Sequence, residues 1–354
     1  MAAVFLKLGL IGFGGPAAHI ALMQNELVDR RRWVGRERFV DLLGATNLIP
    51  GPNSTEMAIH LGFVRAGWPG LLLGGACFIA PSALIVLGCA WAYVRWGALP
   101  QAASLLYGIK PVLIAIIVQA LVRLARAAFA GVVAAVTAVS VAALAVAGVD
   151  EVLLLFSAAA GVMLAMNVHR GAGCLAVTPV TLPKLALLFL KIGSILFGSG
   201  YVLLAFLRAD LVERLGWITD AQLLDAVAVG QITPGPVSTT ATFIGYLVAG
   251  VPGATLATLG IFLPSFVFVA ASNPLIPRLR ASRWAGAFLD GANAASLGLM
   301  AVVTGELGRA AVSDWLTAVL AVVAFALVFG TRIHPAWLIA GGGAVGLAFR
   351  TLIL

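Results

Sequence analysis

Apolar residues along this chain come in long unbroken runs, separated by short clusters rich in arginine, proline, glycine and acid. They do not alternate with polar residues in the period of two that a membrane-spanning β-strand needs. A bilayer core takes roughly 20 apolar residues per helix, and in lipid the backbone must satisfy its own hydrogen bonds inside helices or closed barrels. The pattern therefore predicts spanning α-helices over most of the 354 residues. Two places depart from it. Segments 36–48 and 220–232 are amphipathic, and each leads through Pro-Gly-Pro into a short apolar stretch, 53–65 and 237–249. Neither member of these pairs is long enough to cross, so each pair reads as a re-entrant hairpin.

The two departures belong to a duplication. Phe5-Leu6-Lys7-Leu8-Gly9 recurs as Phe189-Leu190-Lys191-Ile192-Gly193, an offset of 184. At the same offset Phe13-Gly14 matches Phe197-Gly198, Trp33 matches Trp217, Asp41 matches Asp225, and Pro50-Gly51-Pro52 matches Pro234-Gly235-Pro236. After a one-residue deletion the offset becomes 183, which pairs Gly67 with Gly250, Pro69 with Pro252, Pro81-Ser82 with Pro264-Ser265, and Arg126 with Arg309. Shared apolar composition aligns leucines by chance, but not tryptophan, lysine and Pro-Gly-Pro at one offset. An N-terminal repeat (1–170), a connecting loop (171–184) and a C-terminal repeat (185–354) follow.

Each half opens with a helix carrying the lysine and glycines (3–28, 185–207), then the hairpin. Three spans come next, 68–95, 101–125 and 130–147 in the first half and 253–273, 284–307 and 315–329 in the second. A last span, 152–168 or 336–352, closes the half. Five crossings are an odd number, so the halves are expected in opposite orientations. Loop charge agrees. The first inter-helix loop holds Arg30, Arg31, Arg32, Arg36 and Arg38, whereas its counterpart holds Arg208 and Arg214 against Asp210, Glu213 and Asp220. Of the 22 Lys and Arg, Lys7, Lys110 and Lys191 lie within spans, and Arg95, Arg208, Arg214, Arg309 and Arg350 fall on one side. The remaining fourteen fall on the other. The reversal of bias at equivalent positions is what inverted repeats require, and the positive-inside rule then places both termini in the periplasm. The expected fold is an all-α polytopic membrane protein of two inverted repeats, each about five spans plus a re-entrant Pro-Gly-Pro hairpin.

Composition sharpens this picture. Hydrophobic residues make up 62% and charged residues only 10%, where a soluble domain carries about 25% charged, and mean hydropathy is +1.07. The net charge of +8 sits in short loops as a topology determinant, so nucleic acid is not expected as a partner. Cys77, Cys89 and Cys174 show neither metal spacing nor a disulfide framework, and the four histidines are scattered. No Walker motif, metal cluster or Ser-His-Asp setting appears, so the chain reads as no enzyme and as needing no cofactor. Met1 to Leu10 lack the basic start of a cleavable signal peptide. A multi-pass protein of a bacterial inner membrane, embedded in lipid, is the natural reading, and a homodimer is compatible with it.

Candidate chemistry concentrates in the repeated positions. Ionisable residues inside spans are functional candidates by default. Lys7 and Lys191 are repeat equivalents that an inverted pseudo-twofold would bring to one site, and Lys110 is the third lysine inside a span. The plainer reading has them snorkel to an interface. Pro50-Gly51-Pro52-Asn53-Ser54-Thr55 and Pro234-Gly235-Pro236-Val237-Ser238-Thr239 break a helix, since proline lacks the donor, and then start the next one well. A helix N-terminus at depth offers free N–H groups and partial positive charge to an anion. Gly51, Ser54, Thr55, Gly235, Ser238 and Thr239 are therefore expected at an anion site; the alternative is a kinked hairpin with hydroxyl caps. Asn47 and Gln231 are equivalent amides that either bind substrate or satisfy the broken backbone. Gly14 and Gly15 interrupt the first helix beside His19, for ligand approach or for close packing. Glu26, which matches Asp210, together with Glu56 and His19, are candidates for proton coupling.

The Phe-Gly-Gly-Pro near the N-terminus, the downstream Trp-Val and the Pro-Gly-Pro followed by Ser-Thr resemble the chromate ion transporter family, in its long two-domain form. The resemblance spans essentially the whole chain and departs at Phe197-Gly198-Ser199-Gly200, which lacks the proline of the first half. It implies efflux of chromate from the cytoplasm and resistance to chromate. Two other readings stay open beside it: a carrier of sulfate or another tetrahedral oxyanion, and a membrane scaffold that transports nothing.

Overall fold

The computed structural model describes residues 1–13, 15–46, 49–97, 99–128, 132–146, 154, 180–196, 202–272, 283–331, 333 and 335–353. Every regular element among them is helical. The first half contains α1 (Ala2–Ile11), α2 (Gly15–Met23), α3 (Arg36–Thr46), α4 (Asn53–Trp96), α5 (Pro100–Ala128) and α6 (Val132–Val146). The second contains α7 (Leu182–Ile195), α8 (Leu203–Leu207), α9 (Asp220–Ile232), α10 (Thr240–Ser272), α11 (Arg283–Ala311), α12 (Trp315–Gly330) and α13 (Pro335–Ile353). The predicted span 152–168, apart from Leu154, and most of the connecting loop lie outside the described residues.

Equivalent sequence builds equivalent detail. The opening helix breaks at Gly12 (φ −75°, ψ 84°) and at its counterpart Leu196 (φ −76°, ψ 91°). One position is glycine and the other leucine, so the break is imposed by what the chain meets there and not by glycine's freedom. Past the break, α2 and α8 each run into a π-helical turn, Gln24–Arg30 and Arg208–Arg214. These turns end alike: Arg31 and Leu215 donate to the carbonyls of Glu26 and Asp210, both at 3.1 Å.

The long helices α4 and α10 are each two helices joined at a turn. Ala66 and Gly67 (φ 60°) leave helical geometry, as do Ala249 and Gly250 (φ 62°), with nearly the same angles. A positive φ of this size at no steric expense needs glycine. The short arm folds back along the long arm through small residues, Gly62 on Gly70 and Ala58 on Gly74 in one half, Gly245 on Gly253 and Ala257 in the other. Backbones approach this closely only where side chains are absent. Pro69, Pro81, Pro252 and Pro264 are tolerated within the long arms.

Three helices are long and apolar enough to cross a membrane by length and composition: Asn53–Trp96, Gln101–Val122 and Val237–Ser272. Ala2–Ile11, Val136–Val146, Trp315–Gly330 and Pro335–Phe349 are shorter apolar helices. Leu72, Leu84, Val139, Leu259, Val267 and Val322 stand exposed on the outside, an apolar surface suited to lipid and not to water. The halves interlock. Gly108 and Ser104 of α5 meet Gly342 and Gly346 of α13, and Phe266 of α10 lies over Gly75 of α4.

Candidate functional site

The two Pro-Gly-Pro turns lie where the halves cross. The Gly51 amide donates to the carbonyl of Leu196 at 2.6 Å, and the Gly235 amide donates to the carbonyl of Gly12 at 2.7 Å. Each turn thus caps the broken opening helix of the opposite half. Both glycines have positive φ, 145° and 93°. A Cβ on Gly51 would collide with Glu56 Oε1 and Ser265 Oγ, and one on Gly235 would sit 2.7 Å from Ser82 Cβ. Ser82 and Ser265 are themselves repeat equivalents.

Behind each turn a helix begins without a side-chain cap. Pro52 precedes α4, and Pro236 precedes a 3-10 turn, Val237–Thr239, that runs into α10. The single-residue deletion of the second half falls here, which accounts for the tighter turn. The first N–H groups of a helix have no intrahelical partner, and these two starts are buried: Ser54 is 2% exposed, Ser238 1%, Thr55 and Thr239 0%. Thr55 Oγ1 and Ser238 Oγ are sealed from solvent without a hydrogen-bond partner among the described residues. Buried polar atoms without partners are rare enough to need a reason, and donors converging at a helix start suit an anion.

The crossings differ in their side chains. At the second, Ser82 Oγ and Thr239 Oγ1 share a hydrogen bond of 2.9 Å, and Thr239 also donates to the Pro236 carbonyl at 2.7 Å. His19, 1% exposed, bonds the same Gly12 carbonyl at 2.9 Å. At the first crossing the carboxyl of Glu56 and the hydroxyl of Ser265 are both fully buried, and none of their oxygens has a hydrogen-bond partner among the described residues.

The lysines sit in matching ion clusters. Lys7 approaches Glu26 at 3.6 Å, and that carboxylate also takes Arg30 at 2.9 Å and Arg31 at 2.8 Å. Lys191 holds both oxygens of Asp210 at 3.0–3.1 Å, joined by Arg214 at 3.0 Å. Each lysine is therefore paired within its own half, and Lys7 is half exposed. Lys110 has a different partner. Its ammonium lies 3.2 Å from Asp225 of α9, whose other oxygen accepts from Tyr93 at 2.8 Å. This triad, centred on the buried Asp225, ties α4 and α5 of the first half to the amphipathic helix of the second. The matching residues in the other half are Asp41 and Asn293, so the lysine has no repeat counterpart.

Of the remaining predicted residues, Gly15 begins α2 with φ 79°, and Gln231 is half-buried near the end of α9. Gly14 and Asn47 lie outside the described residues. Sequence reasoning did not single out Ser82, Ser265, Tyr93 or Asp225 as site residues. The repeated Pro-Ser pairs, Pro81-Ser82 and Pro264-Ser265, were the signal that could have found the first two.

The chromate transporter family model matches residues 1–164 and 183–347. A chromate transport protein of Cupriavidus metallidurans is 34% identical, over 99% of this chain and 92% of its own length. A probable chromate transport protein of Synechococcus elongatus is 33% identical over 90% and 87%. A chromate transport protein of Pseudomonas aeruginosa is 32% identical over 86% and 80%. No solved structure matches. With the family model matching both halves and relatives aligned over most of the chain, this chain belongs to the chromate transporter family and is a multi-pass membrane transporter.

Proposed function

We propose that this protein exports chromate across a bacterial inner membrane through a site built where the two Pro-Gly-Pro turns cross, between halves of inverted topology. The observation that carries the reading is the pair of uncapped, buried helix starts, with Thr55 Oγ1 and Ser238 Oγ unpartnered beside them. The reciprocal bonds from Gly51 to Leu196 and from Gly235 to Gly12 support the inverted arrangement, since each half repeats the other's contact with the roles exchanged. The anion would meet backbone N–H groups and the hydroxyls of Ser54, Thr55, Ser238 and Thr239, with Asn47 and Gln231 at its edge. Lys7 and Lys191 complete the set electrostatically. Each already holds a carboxylate, so an arriving oxyanion competes with Glu26 or Asp210 for it.

The energetics favour exit. Chromate is a dianion at neutral pH, and an interior negative by 100 mV drives two charges outward by about 4.6 kcal/mol. Purified protein in liposomes, with an imposed potential and excess sulfate, tests the proposal. Chromate movement that follows the potential and resists sulfate is expected. Movement suppressed by sulfate would make the protein a general oxyanion carrier, and none under any drive would remove the transport reading. Lys7→Met and Lys191→Met should each lower the flux at least tenfold while the protein stays in the membrane. Full flux in both would discard the lysines.

A further inference from the structure

We propose that Glu56 and Ser265 form a proton-binding site at the first crossing, through which chromate movement is coupled to a proton moving the other way. The proposal rests on the crossing being the transport site, and it names the group that couples there.

The observations come from geometry. Glu56 extends from the first turn of α4 in one half, and Ser265 from the long arm of α10 in the other, and both reach the place a Cβ on Gly51 would fill. Each is 0% exposed. Neither carboxyl oxygen nor the hydroxyl has a hydrogen-bond partner among the described residues. An isolated charge in such surroundings is expensive, so the charge state of Glu56 is tied to whatever arrives beside it. The equivalent crossing is the control supplied by the protein itself. There a hydroxyl pair, Ser82 with Thr239, satisfies itself.

Charged groups on the elements packed around Glu56 are engaged or turned outward. Lys7 on α1 pairs with Glu26, and Lys191 on α7 pairs with Asp210. Arg36, Glu37 and Arg38 on α3 are exposed, and Asp41 on the same helix has its own interaction. On α4, His60 is buried one turn further along and also engaged, while Arg65 lies over the ring of Trp33. His19 on α2 bonds Gly12. Glu56 Oε1 and Ser265 Oγ both crowd one point, so a proton on the carboxyl has a hydroxyl beside it to turn to, whereas a hard metal cation asks for about six oxygens. The proton enters from water on one side, sits on a carboxyl oxygen of Glu56, and returns to water on the other side when the crossing opens there. No other bond is made or broken.

The test combines infrared titration of purified protein with flux in liposomes. Wild-type protein should show a protonated-carboxyl band that is absent from Glu56→Gln. In liposomes containing a pH-sensitive dye, wild-type chromate flux should carry protons in the opposite direction. In Glu56→Gln the protons moved per chromate should fall to zero, with any remaining flux following the potential alone. Ser265→Ala should retain the band at a shifted frequency. No Glu56 band, or an unchanged proton count in Glu56→Gln, overturns the proposal. Drive by a sodium gradient at clamped pH would overturn it in favour of a metal cation. Absence of chromate flux with the Glu56 band present would instead count against the transport site, because the band is read without flux.

Discussion

The two crossings share a backbone plan and differ in what fills it. Both place a Pro-Gly-Pro glycine against the broken opening helix of the other half, at 2.6 and 2.7 Å. One is closed by a hydroxyl pair, Ser82 with Thr239, and a histidine. The other holds a carboxyl and a hydroxyl that have no hydrogen-bond partner among the described residues. Duplication supplies the scaffold twice, and the two copies are filled differently: one crossing is closed by its own side chains, and the other leaves a carboxyl and a hydroxyl unsatisfied among the described residues. Satisfied polar contacts rigidify, whereas unsatisfied ones are retained where something else completes them.

The sharpest way to break the comparison is at the glycines. Gly51→Ala and Gly235→Ala both force a side chain into positive φ, at about 1–3 kcal/mol of strain each, and both introduce a collision. Transport should be lost in both. The rescue should differ. At Gly51 the obstacles are the ends of the Glu56 and Ser265 side chains, so adding Glu56→Ala should recover part of the melting temperature. At Gly235 the obstacles include Ser82 Cβ at 2.7 Å and the Gly9 carbonyl at 3.3 Å, atoms on or next to the backbone, and a similar truncation should recover less. Equal rescue would mean the crossings are not packed differently.

Next in size is the triad that only one half possesses. Lys110→Met leaves buried Asp225 without its cation and with the Tyr93 hydroxyl as its remaining donor, a loss of up to about 3–5 kcal/mol where a buried pair is broken. Thermal unfolding in detergent should show that loss, and adding Asp225→Asn should restore most of it. A small loss in the single variant would mean that Tyr93 alone satisfies Asp225.

Much of this was legible in the sequence because it is carried by residue type at fixed spacing. The 184-residue offset, the Pro-Gly-Pro breaks and the amphipathic helix at 220–232 need only local chemistry. From sequence, Lys7 and Lys191 are expected at one shared site and not paired with Glu26 and Asp210, although both members of each pair match at one offset. The exchange of partners was not legible. A backbone amide on Gly51 and a backbone carbonyl on Leu196 leave no side-chain signature of their meeting. The pairing of Asp225 with Lys110 was not legible either, because Lys110 has no lysine at its repeat position, Asn293, and nothing local joins it to Asp225. Glu56 stands among the sequence candidates for proton coupling, but only the fold shows that it reaches the first Pro-Gly-Pro turn.

A cap remote from both crossings gives a baseline for these stability changes. Asp314 starts α12 with a reciprocal bond to Thr317 and also accepts from Tyr107. The Thr317 amide, and then the Tyr107 hydroxyl, hold its carboxyl below the usual range of 3.8. A depressed value stabilises the folded form above the unfolded pKa, and that contribution fades as the pH falls below 3.8 and through the folded pKa. Asp314→Ala should lower stability by about 1 kcal/mol at neutral pH and by less in acid, with the protons moved per chromate unchanged.

The smallest effects separate the crossings most directly. Ser82→Ala removes a hydroxyl bond, but Thr239 keeps its bond to the Pro236 carbonyl. The loss should stay near the lower end of the usual range, about 0.5–1 kcal/mol, with the proton count unaltered. Ser265→Ala removes a hydroxyl that bonds nothing among the described residues, so its effect on unfolding should be smaller still. Its signature should lie in coupling: without the second oxygen, the proton on Glu56 is held by one group alone, and the pH dependence of chromate flux should shift. If Ser82→Ala shifted the pH dependence and Ser265→Ala did not, the roles of the two crossings would have to be exchanged.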